Sequence, residues 1–223
     1  MQDIVTMHHY INKYPIPPDS RKLILGTIHA HDRSRFKIDF FYGNIGSHWT
    51  IFHKAFPLEL TDPRSVASIQ GFLTGRRIAM SDVVAQAARK KLTALDADLI
   101  DIQLHEDLLP QIRRSAITDI YFTSGLSTNG AFRLFYTRLL KQPITAEMRG
   151  RKEFELGDAF FGRPVRLHIL ISPSGAANIS LSRDPDYLTR SHQYKGKSPV
   201  LAYKIDYYRK TFGAELSRQP TKD

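Results

Sequence analysis

Unbroken apolar runs alternate with runs at helical spacing along this 223-residue chain. Lys22-Leu23-Ile24-Leu25-Gly26-Thr27 follows Pro15, Pro17 and Pro18 and ends at a glycine, which predicts a buried strand over 22–27. Asp62-Pro63-Arg64-Ser65 predicts a helix start, and residues 71–75, bounded by Gly71 and Gly75, a loop. Residues 78–84 read as an extended segment that runs into a helix through Ala87, Ala88 and Leu92. Leu108, Leu109 and Ile112 fall at helical spacing within 106–114, where Pro110 is tolerable because it sits in the first turns. Residues 118–124, rich in β-branched and aromatic side chains, predict the next buried strand. Residues 127–141 predict a helix with Ala131, Leu134, Phe135 and Leu139 on its inner face, stopped by Pro143. A strand followed by a helix in this way favours a parallel sheet. Residues 154–161 and 163–172 read as a strand pair turned at Gly157-Asp158 or at Gly162-Arg163-Pro164. Val165, Leu167, Ile169 and Ile171 alternate with Arg166, His168 and Leu170, so one face is the more buried. Residues 200–212, with repeated tyrosines, predict a closing helix. The pattern defines an α/β protein, expected as a three-layer α/β/α sandwich with a mainly parallel central sheet of about four strands.

With 42% hydrophobic residues the chain can bury one core, and a single domain over 1–223 is expected, with its core at about 20–183 and a helical addition over 184–223. No run reaches the roughly eighteen apolar residues of a membrane span, and the N-terminus, with Asp3, His8, His9 and Lys13, lacks the apolar core of a signal peptide. The expectation is a cytoplasmic protein. The absence of cysteine excludes disulfides and cysteine-ligated metal. A formal charge of +10 favours a polyanionic partner, with basic residues concentrated at Arg133, Arg138, Lys141, Arg149, Arg151 and Lys152 and again at Arg183, Arg190, Lys195 and Lys197. The same charge is compatible with a solvated basic surface.

Two separated segments are candidates for chemistry. The first is Leu23-Ile24-Leu25-Gly26-Thr27-Ile28-His29, followed by Phe40-Phe41-Tyr42-Gly43-Asn44-Ile45-Gly46-Ser47-His48-Trp49. The second is Leu170-Ile171-Ser172-Pro173-Ser174-Gly175-Ala176-Ala177-Asn178. Each is a short apolar run that breaks into small turn-forming residues, and in a parallel α/β sheet such strand endings form the ligand crevice.

Together they resemble the two signature motifs of the uracil-DNA glycosylase superfamily, nearest to the mismatch-specific uracil-DNA glycosylase and hypoxanthine-DNA glycosylase branches. The first is similar to G-x-x-P-G followed by an aromatic pair and N-x-F-W: Trp49 matches the closing tryptophan, His48 replaces the phenylalanine, and Ser47 or Asn44 aligns with the asparagine. The second is similar to the N-P-S-G or H-P-S loop, with Pro173, Ser174 and Gly175 as direct matches. Arg77-Ile78-Ala79-Met80-Ser81-Asp82-Val83-Val84 is similar to a G-I-x-x-x-D-x-V stretch in the same relatives. Ser124-Gly125 with Ala131-Phe132-Arg133-Leu134-Phe135 is similar to their strand-turn-helix before the final strand. The resemblance runs in consistent order over about 22–178. A branch that carries a four-cysteine cluster is excluded.

The resemblance implies base flipping and N-glycosidic hydrolysis without a cofactor. Gly26, Thr27, Ile28 and His29 would form the base pocket and Tyr42 its stacking face. Ser172, which replaces the histidine or asparagine of the most active relatives, would stabilise the departing base at the cost of slower chemistry. Ser174, Gly175, Ala176, Ala177, Asn178 and Arg183 would contact DNA. Ile28 stands where many relatives carry a water-activating Asp or Asn; hypoxanthine-DNA glycosylases use an asparagine in the following segment, so Asn44 takes that role here, with Asp82 as second candidate.

Each residue also has a plainer reading. Tyr42 and Trp49 are candidates for core filling, Asn44 for a turn beside Gly43, Asp82 for a cap on the following helix, and Ser174 for a turn or N-cap hydroxyl. His29, His31 and Asp32 form an H-x-H-D cluster, with His48 or His53 to complete a metal site, but His29 reads better as a pocket residue and no metal is expected. The 175–178 loop has no bulky wedge, for which Ile179 or Leu181 is a candidate. The leading expectation is therefore a monomeric glycosylase that removes uracil or hypoxanthine from DNA containing a damaged or mismatched base, with no membrane association. The rivals are a non-catalytic nucleic-acid-binding relative and an enzyme of free nucleosides or nucleotides.

Overall fold

The computed structural model describes residues 4–44 and 46–213. Ile45, the residues before Ile4 and those after Gly213 lie outside the described residues. In chain order the elements are β1 (Ile4–Met7), β2 (Lys22–Gly26), α1 (His48–Ala55), α2 (Val66–Gly75), β3 (Ile78–Asp82), β4 (Val84–Arg89) and β5 (Leu99–Leu104). They continue with α3 (Leu108–Arg114), β6 (Asp119–Phe122), α4 (Ala131–Leu134), β7 (Glu153–Leu156), β8 (Val165–Ile169), α5 (Asn178–Leu181), α6 (Pro185–Arg190) and α7 (Pro199–Gly213). The described residues form two compact units: the first takes those up to Gly43 and Leu73–Leu170, the second those within Asn44–Phe72 and from Ile171 to Gly213. No helix among the described residues is long and apolar enough to cross a membrane.

The first unit is α/β. Its main sheet has five strands in the order β3-β2-β6-β8-β7, of which four are parallel and β7 joins the edge antiparallel. Every residue of β2, β3 and β6 is buried, which is why their apolar residues come in unbroken runs, Leu23–Leu25, Ile78–Met80 and Ile120–Phe122, rather than alternating. In β8, nearer the edge, Val165 and Leu167 are buried while Arg166 is exposed, so the alternation seen in the sequence reports a one-sided strand. On one face, Leu23, Leu25, Ile120, Phe122, Val165 and Leu167 pack with Leu108 and Ile112 of α3 and with Ala131, Phe132 and Phe135. After Leu134 the α4 helix widens into a π-helical turn, Phe135–Leu139.

Two local expectations are corrected. Residues 84–89 are a strand, not a helix: β4 lies between β1 and β5 in a second, antiparallel sheet. The register of β4 against β5 shifts on both sides of Gln86, and this irregularity puts Ala87 and Ala88 side by side in the interior. Adjacent buried alanines imitate a helical face, and pairing with two neighbours overrides their helical propensity. Residues 71–75 are helical rather than looped: neither Gly71 nor Gly75 has a positive φ, and a Cβ at either would meet open space, so neither glycine marks a turn. The main sheet also has one strand more than expected.

The second unit is helical with an aromatic centre. Phe52 of α1 lies against Phe72, Tyr208 and Phe212 at ring separations of 5.2–5.7 Å, and Trp49 is fully buried, which bears out its core-filling reading. His48 packs on Trp49 and Phe52, and burial holds it at about 3, so it stays uncharged like the aromatic residue it replaces. Arg209 of α7 donates to the carbonyls of Lys54 and Ala55, which satisfies the C-terminal end of α1.

Asp119, at the start of β6 and 4% exposed, is the most heavily bonded carboxylate of the main sheet. Arg166 grips it with Nε at 2.8 Å and a second nitrogen at 3.0 Å, His168 Nε2 lies at 3.0 Å, and the Thr118 hydroxyl donates at 2.8 Å. Burial pushes its pKa up, but the hydrogen bonds of His168, Arg166 and Thr118 outweigh it and bring the value down from 3.8 to about 2. A depressed carboxylate stabilises the fold fully above its unfolded pKa and loses that contribution as pH falls through the folded value. Urea denaturation of wild type and Asp119→Asn should therefore differ by about 2 kcal/mol at pH 5, the gap closing as pH falls through 4 toward 2. A gap independent of pH would contradict this assignment.

Candidate functional site

Parallel pairing of β2 with β3 sets Gly26 beside Asp82 at the carboxyl ends of the two strands. The chain does not turn into a helix here: the amides of Val83 and Val84 donate to the carbonyls of Gly26 and Thr27, and β4 follows. Asp82 is thus no helix cap. Its Oδ2 lies 2.6 Å from Nε2 of His8, whose side chain is fully buried. His8 Nδ1 accepts the backbone N–H groups of Tyr10 at 3.0 Å and Ile11 at 3.4 Å, so the ring proton sits on Nε2 and is donated to Asp82. The tautomer is dictated by the turn after β1.

The other carboxylate oxygen faces Gly26. A Cβ at residue 26 would lie 2.2 Å from Asp82 Oδ1 and 2.7 Å from the Tyr42 hydroxyl, so only glycine lets these groups converge. Tyr42 has φ of 54°, a costly backbone for a bulky residue. Its hydroxyl donates to Thr123 Oγ1 at 2.8 Å, and burial, then the Asp82 charge, push the phenol well above its usual range. What the geometry presents beside Gly26 is the polar end of Tyr42.

A second polar chain runs alongside. The Thr27 hydroxyl donates to Asp96 Oδ2 at 3.0 Å and lies 3.1 Å from Ser124 Oγ, which also accepts the Ala131 amide at the start of α4. Burial raises the Asp96 pKa against the opposing pull of these hydroxyls. His29 is half-buried, with Nδ1 donating to the Ala30 carbonyl and Nε2 accepting the His9 amide; its ring lies 4.9 Å from that of His8. Burial lowers it to about 4, so it is uncharged at neutral pH. Ile28 packs against the apolar core. His31 Nδ1 sits 3.3 Å from Thr6 Oγ1, and among the described residues no group of three His, Cys, Asp or Glu is arranged for a metal ion.

The first unit therefore brings together Gly26, Thr27, His29, Tyr42 and Asp82. The sequence reading missed His8, whose only signal was an adjacent histidine pair in the N-terminal arm, and Asp96, which lies between the segments to which elements were assigned.

The remaining candidates belong to the second unit. Asn44 is exposed, and its carbonyl accepts the Gly46 amide in a turn; Ser47 precedes α1 at the N-cap position. Ser172 Oγ accepts the Ser174 amide, and Ser174 Oγ accepts the Ala176 amide, which bears out the N-cap reading for a 3-10 turn over Gly175–Ala177. Lys204 of α7, 1% exposed, reaches back into this loop and donates to the Ser174 carbonyl at 2.8 Å and to Asn178 Oδ1 at 2.6 Å. Burial lowers it to about 8, still mostly protonated at neutral pH. The sequence hinted at it only through its place four residues before the inward-facing Tyr208. Of the two wedge candidates, Leu181 is buried against Tyr187 and Tyr203, which removes it, and Ile179 is 69% exposed. Arg183 is exposed.

Comparison of the chain with protein-family models, curated proteins and solved structures gives no match.

Gly26→Ala should lower stability by about 1–3 kcal/mol in urea denaturation, because the methyl must displace Asp82 or Tyr42; a neutral substitution would contradict the convergence described. Lys204→Met should speed amide hydrogen exchange over 174–178 while leaving β2 and β6 protected. Unchanged exchange in the loop would show that Lys204 does not brace it.

Proposed function

We propose that this chain is a monofunctional DNA glycosylase of the uracil-DNA glycosylase kind, its five-stranded sheet the middle layer of a three-layer α/β/α sandwich, which hydrolyses the N-glycosidic bond of uracil or hypoxanthine in DNA. The observation that carries the reading is the Asp82 carboxylate, fixed by the His8 N–H and aimed at Gly26 where the parallel strands end. Hydrolysis of an N-glycosidic bond passes through an oxocarbenium-like state, and an oriented carboxylate both stabilises the positive sugar and takes a proton from the attacking water. The water oxygen bonds to the anomeric carbon, the carbon–nitrogen bond breaks, and the electron pair leaves with the base, which is then protonated. Water is the only co-reactant.

Asp82 is favoured over Asn44 for the water-orienting role. Asp82 has a partner that fixes its orientation, whereas Asn44 is an exposed turn residue. His8 acts through Asp82 and is a positioning residue. The formal charge of +10 favours a DNA substrate, and in the second unit the exposed residues 174–176 and Ile179 suit contact with a duplex. One observation favours the rival reading of a non-catalytic DNA-binding protein: Ile28, at the position where many members of that superfamily activate water, is packed against the core.

Oligonucleotides carrying uracil, hypoxanthine, xanthine or a T:G mismatch, single- and double-stranded, separate the two readings. With enzyme in excess at low salt, alkali-labile strands are expected from wild type on uracil or hypoxanthine. Asp82→Asn should lose about 10²–10⁴-fold in excision and keep duplex binding, while Asn44→Ala should retain activity within a few-fold. Salt-sensitive binding without cleavage on any substrate would leave the non-catalytic reading; loss in Asn44→Ala alone would move the water to Asn44.

A further inference from the structure

A sheet edge is a row of open backbone donors and acceptors, and folded chains guard such edges by burial, charge or irregular backbone. Among the described residues the two sheets end at β3, β7, β5 and β1, and the first three ends are guarded. Every residue of β3 is buried. β7 exposes Glu153 and Glu155. On β5, Asp101 is exposed in left-handed backbone with φ of 49°, and Arg138 donates to the Ile102 carbonyl at 3.1 Å. The β1 edge reads Ile-Val-Thr-Met, with no charge, no proline and no irregularity in its pairing with β4. Its outward side chains are apolar: Val5 is 44% exposed and Met7 64%.

The ladder determines which backbone groups of β1 are open. Val5 lies opposite Ala88, Thr6 opposite Ala87 and Met7 opposite Gln86, and the His8 amide donates to the Ala85 carbonyl at 2.8 Å. Bonded and non-bonded pairs alternate in an antiparallel ladder, so Ile4, Thr6 and His8 bond to β4 while the N–H and C=O groups of Val5 and Met7 point away from it. Among the described residues nothing else bonds to the Val5 or Met7 backbone. The strand cannot roll to hide this edge, because the buried Thr6 hydroxyl accepts from Arg89 and the buried His8 ring donates to Asp82.

We infer that β1 is a dimerisation edge: two copies of this chain, rather than the monomer the sequence suggested, pair β1 with β1 antiparallel about a twofold axis at Thr6. Two three-stranded sheets become one of six strands. The occupant follows from the pattern of open groups. With the axis at Thr6, Val5 of one copy lies opposite Met7 of the other and Met7 opposite Val5, so each outward N–H meets an outward C=O and the contact closes on itself. The same register sets the exposed Val5 side chain beside the exposed Met7 side chain of the other copy, a cross-strand pair that covers both. Despite the net charge of +10, Ile4–Met7 has no cation with which to select an acidic peptide instead. The contact is small and two bodies of charge +10 repel, so the dimer is weak and tightens as salt screens the repulsion. Binding to a polyanion has the opposite salt dependence. Pairing at β1 does not depend on what the Asp82 centre does.

Sedimentation equilibrium of the full chain without nucleic acid is the test. Wild type should move from monomer toward dimer mass between about 10 µM and about 1 mM, and the dimer should tighten several-fold between about 0.1 M and about 0.5 M salt. Over the same concentrations the amides of Val5 and Met7 should gain protection from hydrogen exchange, while the amide of Thr6, bonded to β4, is protected throughout. Two variants spoil the edge and spare the β1–β4 ladder: Val5→Lys puts a charge on a solvent-facing position, and Met7→Pro removes an outward N–H that β4 does not use. Each should weaken association by about tenfold or more. Wild type that stays monomeric at about 1 mM, association that weakens with salt, or association unchanged in Val5→Lys would overturn the β1 dimer.

Discussion

The hydrogen bond from His8 Nε2 to Asp82 Oδ2 is the interaction on which the candidate site depends. A carboxylate 5% exposed is costly to leave without a donor, and here the donor is itself locked by two backbone amides of the turn after β1. The N-terminal strand is therefore more than an appendage to the second sheet: its docking against β4 carries His8 to the carboxyl end of the main sheet. Gly26 is the other half of the constraint, since any side chain there would collide with Asp82 Oδ1 and the Tyr42 hydroxyl.

Arg89 plays a corresponding part for the second sheet. A guanidinium has several fixed donors, and this one uses them to join β1, the β4–β5 tip and the segment after Gly26 into one piece. The small antiparallel sheet and its turns hold His8 buried against Asp82 and leave Leu92 and Leu95 exposed. In the second unit, Lys204 performs a similar local task and ties the loop at 174–178 to the last helix.

Much of the main sheet was legible because burial on both faces leaves unbroken apolar runs, as at Leu23-Ile24-Leu25, and because α7 shows its inward tyrosines at helical spacing. The second sheet was not legible. Its strands are short, and the irregular register of β4 makes Ala87 and Ala88 look helical. The same division holds for the site. Gly26, Tyr42 and Asp82 stand in recognisable local patterns, whereas His8, Asp96 and Arg89 act across 74, 69 and 60 residues of sequence, and no local pattern reports a contact of that range.

The role given to the buried pair is tested most directly by the single-turnover rate of base excision in a uracil- or hypoxanthine-containing duplex, wild type against His8→Phe. Phenylalanine fills the imidazole's space without donating to Asp82, so the cleavage rate should fall by about 10–100-fold while the duplex dissociation constant is unchanged. An unaltered cleavage rate in His8→Phe, or the absence of cleavage by the wild-type protein, would contradict a catalytic Asp82 held by His8.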